Sequence, residues 1–119
     1  MKWTVKPALF AAALILPAPA ALAHHGWAGQ DNAHVTTLEG TIQGVRYRNP
    51  HAEIDLMSGK QMWTVTLAPL FRMQDRGVTE DKLKVGETVK IDGHRNLDQT
   101  KYEVKANDIT IGGKTTNLR

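Results

Sequence analysis

A chain of 119 residues, 41% hydrophobic and 23% charged, holds enough apolar side chains for one small globular core. It contains no cysteine, which excludes a disulfide scaffold, a thiolate metal site and a cysteine nucleophile. The formal net charge of +3 is too small to argue for nucleic acid as a partner.

Residues 1–23 read as a secretory signal peptide. Lys2 and Lys6 give a positive start, residues 8–16 an apolar stretch, and Ala21-Leu22-Ala23 a small-x-small cleavage site. A membrane anchor fits less well, because the apolar run falls short of the roughly 20 residues a bilayer needs, and Pro17 and Pro19 interrupt it. Removing these 23 residues from 119 leaves 96, with 13 basic and 12 acidic side chains and a net charge of +1. The reading is therefore of a protein exported to the periplasm and not inserted in the membrane after cleavage.

The next stretch, HHGWAGQDNAH over residues 24–34, has no apolar period and is rich in Gly, Asp and Asn, so it is expected to form a loop-like arm tied down by Trp27. From Val35 the pattern becomes β-like. VTTLEGTIQGVRYR places Leu38, Ile42 and Val45 among threonines, with Gly40 and Gly44 marking a bulge or sharp bend. Asn49-Pro50 breaks the run, and HAEIDLM alternates Ala52, Ile54 and Leu56 against Glu53 and Asp55. Ser58-Gly59 signals a turn into MWTVTLA, giving a hairpin and, with the first strand, a meander.

PLFRMQDRGV follows, with Pro69 at a helix start, Leu70, Phe71 and Met73 apolar, and Gly77 as a stop; it predicts a helix of about two turns. Thr79 is expected to N-cap one further helical turn. ETVKIDGHR and YEVKANDITI supply a fourth and a fifth strand, and GGKTTNLR is expected to be a frayed tail. The division is a signal peptide (1–23), an arm (24–34), a β-barrel domain (35–112) and a tail (113–119). Three strands, a helical insert and two strands is the element order of a small, all-β, five-stranded OB-like barrel, which hides strand edges better than an open sandwich of so few strands.

The chemistry-bearing residues are the five histidines. His24 and His25 begin the expected mature chain, His34 ends the arm, His51 follows Asn49-Pro50, and His94 follows Asp92-Gly93; none is expected inside an alternating strand as a core residue. After cleavage His24 would carry a free α-amine beside its imidazole, so one residue offers two nitrogens to a metal. Amine and imidazole nitrogens suit Cu(II), Ni(II) or Zn(II), and Cu(II) heads that affinity order. A second imidazole would complete a three-nitrogen set resembling the histidine brace of copper proteins. His51 is the first choice for it, because a strand starts directly after it; His25, His34 and His94 are substitutes. Asp31 and Glu53 are positioned in sequence to orient ligand imidazoles.

Competing readings are plainer. Exposed histidines are usually solvated, Met57, Met62 and Met73 suit core filling better than copper ligation, and Trp27 and Trp63 suit packing on the barrel. No G-x-S-x-G, His-Glu-x-x-His or phosphate-cradling Gly-rich loop occurs, so hydrolytic and phosphoryl-transfer activity are poor fits.

Together, His24-His25, Gly40-Thr41-Ile42 and Asn49-Pro50-His51, with Trp63 and Leu83-Lys84-Val85-Gly86, resemble the DUF6152 family of small exported bacterial proteins. The resemblance spans nearly the whole mature chain; Gly26 departs from it, standing where the family usually has serine. It implies a periplasmic barrel with recurrent histidines at the mature start and at position 51, and supplies no activity of its own. The expected function is non-enzymatic binding of a metal, most simply Cu(II), for sequestration or delivery, with a possible periplasmic protein partner. The alternative is a non-catalytic module that binds a small ligand or protein, with Trp27, Tyr47 and the histidines lining a groove.

Overall fold

A computed structural model of the chain describes Thr4 and residues 27–119. Apart from Thr4, the residues read as a signal peptide lie outside the described residues, as do His24 and His25.

Strand β1 (Thr36–Arg46) pairs antiparallel with β2 (Glu53–Ser58), and β2 with β3 (Gln61–Thr66). After helix α1 (Leu70–Asp75) and a single 3-10 turn at Glu80–Lys82, β4 (Thr88–Arg95) returns beside β1, and β5 (Glu103–Ile111) lies beside β4. Parallel pairing of β5 with β3 closes the ring. The result is a closed five-stranded mixed barrel with a short helix between β3 and β4, the OB-like architecture expected from the element order.

The period-two pattern has the physical outcome it predicts. Ile54 and Leu56 on β2, Val65 on β3, Val89 and Ile91 on β4 and Val104 on β5 point inward and are buried with Ile42 and Ile109. Helix α1 covers the interior through the fully buried Met73, and Gly77, with φ 77°, ends it. Met73 is thus core filling, whereas Met62 is 40% exposed.

Two bulges bend the barrel. Between Ile42 and Gly44 the β1–β2 register slips, leaving Gln43 without an opposite residue, within the glycine-marked segment. Gly40 is there because the chains nearly touch: a Cβ on it would stand 2.2 Å from the Met57 carbonyl oxygen. A second slip at Asp92 and Gly93 leaves Asn107 of β5 unmatched. That slip is why the apolar alternation of β5 changes phase between Ala106 and Ile109.

Three expectations are corrected. The tail is not frayed: Gly112 and Gly113, with φ 56° and 79°, make a two-residue turn into β6 (Lys114–Asn117), which pairs with β5, and Leu118 beyond it is buried. The Leu118 N–H donates to the Asn107 carbonyl at 2.7 Å, so the bulge holds the chain's end. His94 is a buried strand residue of β4, 6% exposed, contrary to the expectation that no histidine would sit inside an alternating strand as a core residue. The Thr79 hydroxyl does not cap backbone N–H groups of the 3-10 turn; it donates to the Asp81 carboxylate.

Candidate functional site

The arm is fixed to the end of β4 by backbone pairing. Gln30 bridges to Asn96, the Asp31 N–H donates to the Arg95 carbonyl at 2.8 Å, and the Leu97 N–H donates to the Gly29 carbonyl at 2.9 Å. Asn32 closes the turn through its Nδ2, which donates to the Trp27 carbonyl at 2.9 Å.

His94 locks this attachment. Its Nδ1 lies 2.9 Å from the Asp31 carbonyl oxygen and 2.8 Å from that of His34; since both are acceptors, Nδ1 must carry the proton. Its Nε2 lies 3.0 Å from Nδ2 of Asn107, an amide donor, so this nitrogen accepts. The neutral Nδ1–H tautomer satisfies all three contacts, and both ring nitrogens are thereby occupied. Trp27 then meets the imidazole edge to face, with ring centroids 5.9 Å apart.

Docking the arm leaves a cavity of about 670 Å³ between arm, barrel and C-terminal segment. Trp27 and Asn32 come from the arm, His51 from the approach to β2, and Leu67, Pro69 and Arg72 from the junction of β3 with α1. His94 and Lys105 come from β4 and β5, and Leu118 and Arg119 from beyond β6. The His51 wall is stiffened on either side. Ala52 and its partners exchange two backbone bonds of 2.8 Å, to the Ala68 carbonyl and from the Leu67 N–H, while the Leu70 N–H donates to Oδ1 of Asn49 at 3.4 Å. On the other wall, Arg72 Nη1 donates to the Leu118 carbonyl at 3.3 Å, and Arg76 donates to the Asn117 and Arg119 carbonyls at 2.8 and 3.0 Å.

The electrostatics are one-sided. Arg72, Lys105 and Arg119 line the cavity, and no aspartate or glutamate is among its described lining residues. Lys105 is only 8% exposed, its Nζ 4.7 Å from the Trp27 ring centroid, with the Arg119 guanidinium carbon 4.3 Å from the same ring. Burial, and then Arg119, lower the Lys105 pKa. Burial also pushes the His51 imidazole below its ordinary value, aided by Lys105 and Arg72 and opposed by Glu53. Unlike His94, His51 has neither ring nitrogen hydrogen-bonded among the described residues.

Of the five histidines singled out in the sequence, the structure brings His51 and His94 to one cavity and leaves the His34 side chain outside it. His34 is 79% exposed, with Nδ1 2.9 Å from the Asp31 carboxylate, so Asp31 does orient an imidazole, but a surface one; the contact lowers the Asp31 pKa. Glu53 is engaged by Arg46 at 3.1 Å. Tyr47 does not line this cavity; its hydroxyl donates to the Val78 carbonyl at 2.8 Å. Among the described residues no group of three or more His, Cys, Asp or Glu side chains stands close enough to hold a metal.

Sequence reading passed over Asn107, Lys105, Arg72 and Arg119. Asn107 had a signal, the phase change in β5. Lys105 had one as well, a cation within a run whose neighbours Val104 and Ala106 are buried. Arg72 and Arg119 had none, because their meeting depends on β6 and the path of the C-terminal segment.

Fold and site together define a small OB-like barrel with an N-terminal arm strapped over a cationic cavity. The chain belongs to a family described as "Family of unknown function (DUF6152)", whose model matches residues 12–116. No curated protein matches the chain.

Proposed function

We propose that the mature chain is a periplasmic protein that binds Cu(II) for sequestration or delivery, without catalysis, through the α-amine and imidazole of His24 and the imidazole of His51. The observation that carries this reading is that Trp27 and His51 line one cavity. His24 stands three residues before Trp27, so chain length alone keeps it within about 10 Å of a docked anchor. His51 supplies what such a site requires from the barrel: an imidazole on a stiff wall, biased toward its neutral form and with both nitrogens uncommitted among the described residues. His94 serves as the clamp that fixes the arm, and His34 as a surface partner of Asp31; His25 is a further possible ligand beside His24. Zn(II) and Ni(II) would use the same nitrogens with lower affinity than Cu(II).

The test is Cu(II) titration of the protein beginning at His24, followed by electron paramagnetic resonance. One-to-one binding with nitrogen hyperfine structure is expected, lost in His51→Ala and in a protein carrying one extra residue before His24. Unchanged affinity in both variants would overturn the assignment.

A further inference from the structure

We infer that the cavity under the arm is a receptor for a small organic carboxylate, held by its charge at Lys105, Arg72 and Arg119 and by its apolar body against Trp27, Leu67 and Leu118.

Charge carries the first half of the argument. Three cationic side chains converge on one concave space, drawn from β5, α1 and the C-terminal segment. A carboxylate placed there meets two guanidinium groups and an ammonium at short range, and charge-assisted hydrogen bonds of this kind are stronger away from open solvent. Arg72 and Arg119 are held by the same segment: Arg72 donates to the Leu118 carbonyl, and Arg76 to that of Arg119, so their placement precedes any ligand.

Shape carries the second half. At about 670 Å³ the cavity lies within the size range of small-molecule sites, and an indole, two leucines and Pro69 form a wall that inorganic ions leave unused. The inference does not rest on copper: none of the three cations is a metal ligand, and the anion is expected to bind the metal-free protein.

The experiment is calorimetric titration of metal-free protein with benzoate, benzyl alcohol and inorganic phosphate. Benzoate should bind one to one, and benzyl alcohol, its uncharged analogue, at least about tenfold more weakly, the fold-change expected for one charge-assisted contact. Phosphate, lacking the apolar body, should also bind more weakly than benzoate. Lys105→Met and, independently, Arg72→Met should each cost benzoate about tenfold or more, with circular dichroism melts showing which variants are folded. Equal binding of benzoate and benzyl alcohol, phosphate binding that matches or exceeds benzoate, no benzoate binding at all, or full benzoate affinity in folded Arg72→Met would overturn the inference.

Discussion

The Trp27 indole meets the His94 imidazole edge to face at a centroid distance of 5.9 Å, while the same imidazole hydrogen-bonds the arm's carbonyls at Asp31 and His34. A strand residue and an arm residue thus hold each other, and both line the cavity. Trp27→Ala should cost about 1 kcal/mol of stability beyond the apolar area lost, the usual worth of an aromatic pair. Hydrogen exchange of the arm amides at Asp31 and Asn32 should accelerate while the β2–β3 hairpin keeps its protection. An arm that stays protected in the variant would show that backbone pairing alone suffices.

His94 and His51 line one cavity but should respond oppositely to removal. His94→Ala leaves the Asp31 and His34 carbonyls without their shared donor and the Asn107 amide without its acceptor, a loss of about 2–3 kcal/mol for a buried polar hub. His51→Ala removes no hydrogen bond among the described residues, and its urea midpoint should lie close to that of the parent protein. Paired urea melts decide between the two roles: a larger loss at position 51 than at 94 would reverse them.

Across β1 and β2, Arg46 makes two parallel bonds to Asp55, of 2.8 and 2.9 Å, and a third to Glu53. The Arg46 hydrogen bond holds the Asp55 carboxyl below its usual value of 3.8, so the folded state favours the ionised form. By linkage, that contribution is fully present above the unfolded value and is lost as pH falls below about 4 toward the lowered folded value. Both groups are about one-third exposed, which limits the pair to about 1 kcal/mol. Asp55→Asn should therefore be less stable than the parent at pH 7, and the difference should shrink toward zero as pH falls through the lowered folded value of Asp55. A difference independent of pH would assign it to packing.

The barrel was legible because its determinants are local. Period-two alternation sets which side chains of Ile54, Val65, Ile91 and Val104 face inward, Gly40 stands where the backbones of β1 and β2 approach too closely for a Cβ, and Gly44 marks the bulge of β1. Those signals act over a few residues, and the fold follows from them. His51 was legible for the same reason, standing directly after Asn49-Pro50 and before a strand. The cationic cavity was not, because it joins Trp27, Arg72, Lys105 and Arg119 from four distant parts of the chain. The burial of His94 escaped notice because polar residues in strands are ordinarily assigned to the solvent face, and here the arm covers that face.

Gly93 offers a severe test of the β4–β5 geometry on which the clamp depends. A Cβ there would fall 2.2 Å from the Lys105 carbonyl oxygen and 2.9 Å from a Val104 methyl, so the obstacle is backbone as well as side chain. Gly93→Ala can be accommodated only by moving β5 away from β4 beside the Asn107 bulge, which should cost about 3 kcal/mol or more, at the upper end of overpacking effects. Since His94 follows directly and Lys105 sits opposite, the damage should reach the site: arm amides should lose exchange protection along with global stability. Gly59→Ala, at φ 61° on an open hairpin turn, serves as the contrast. It should cost about 1 kcal/mol from backbone strain and leave the arm protected. Equal losses at the two glycines would mean that the close approach of β4 to β5 is not what demands glycine at position 93.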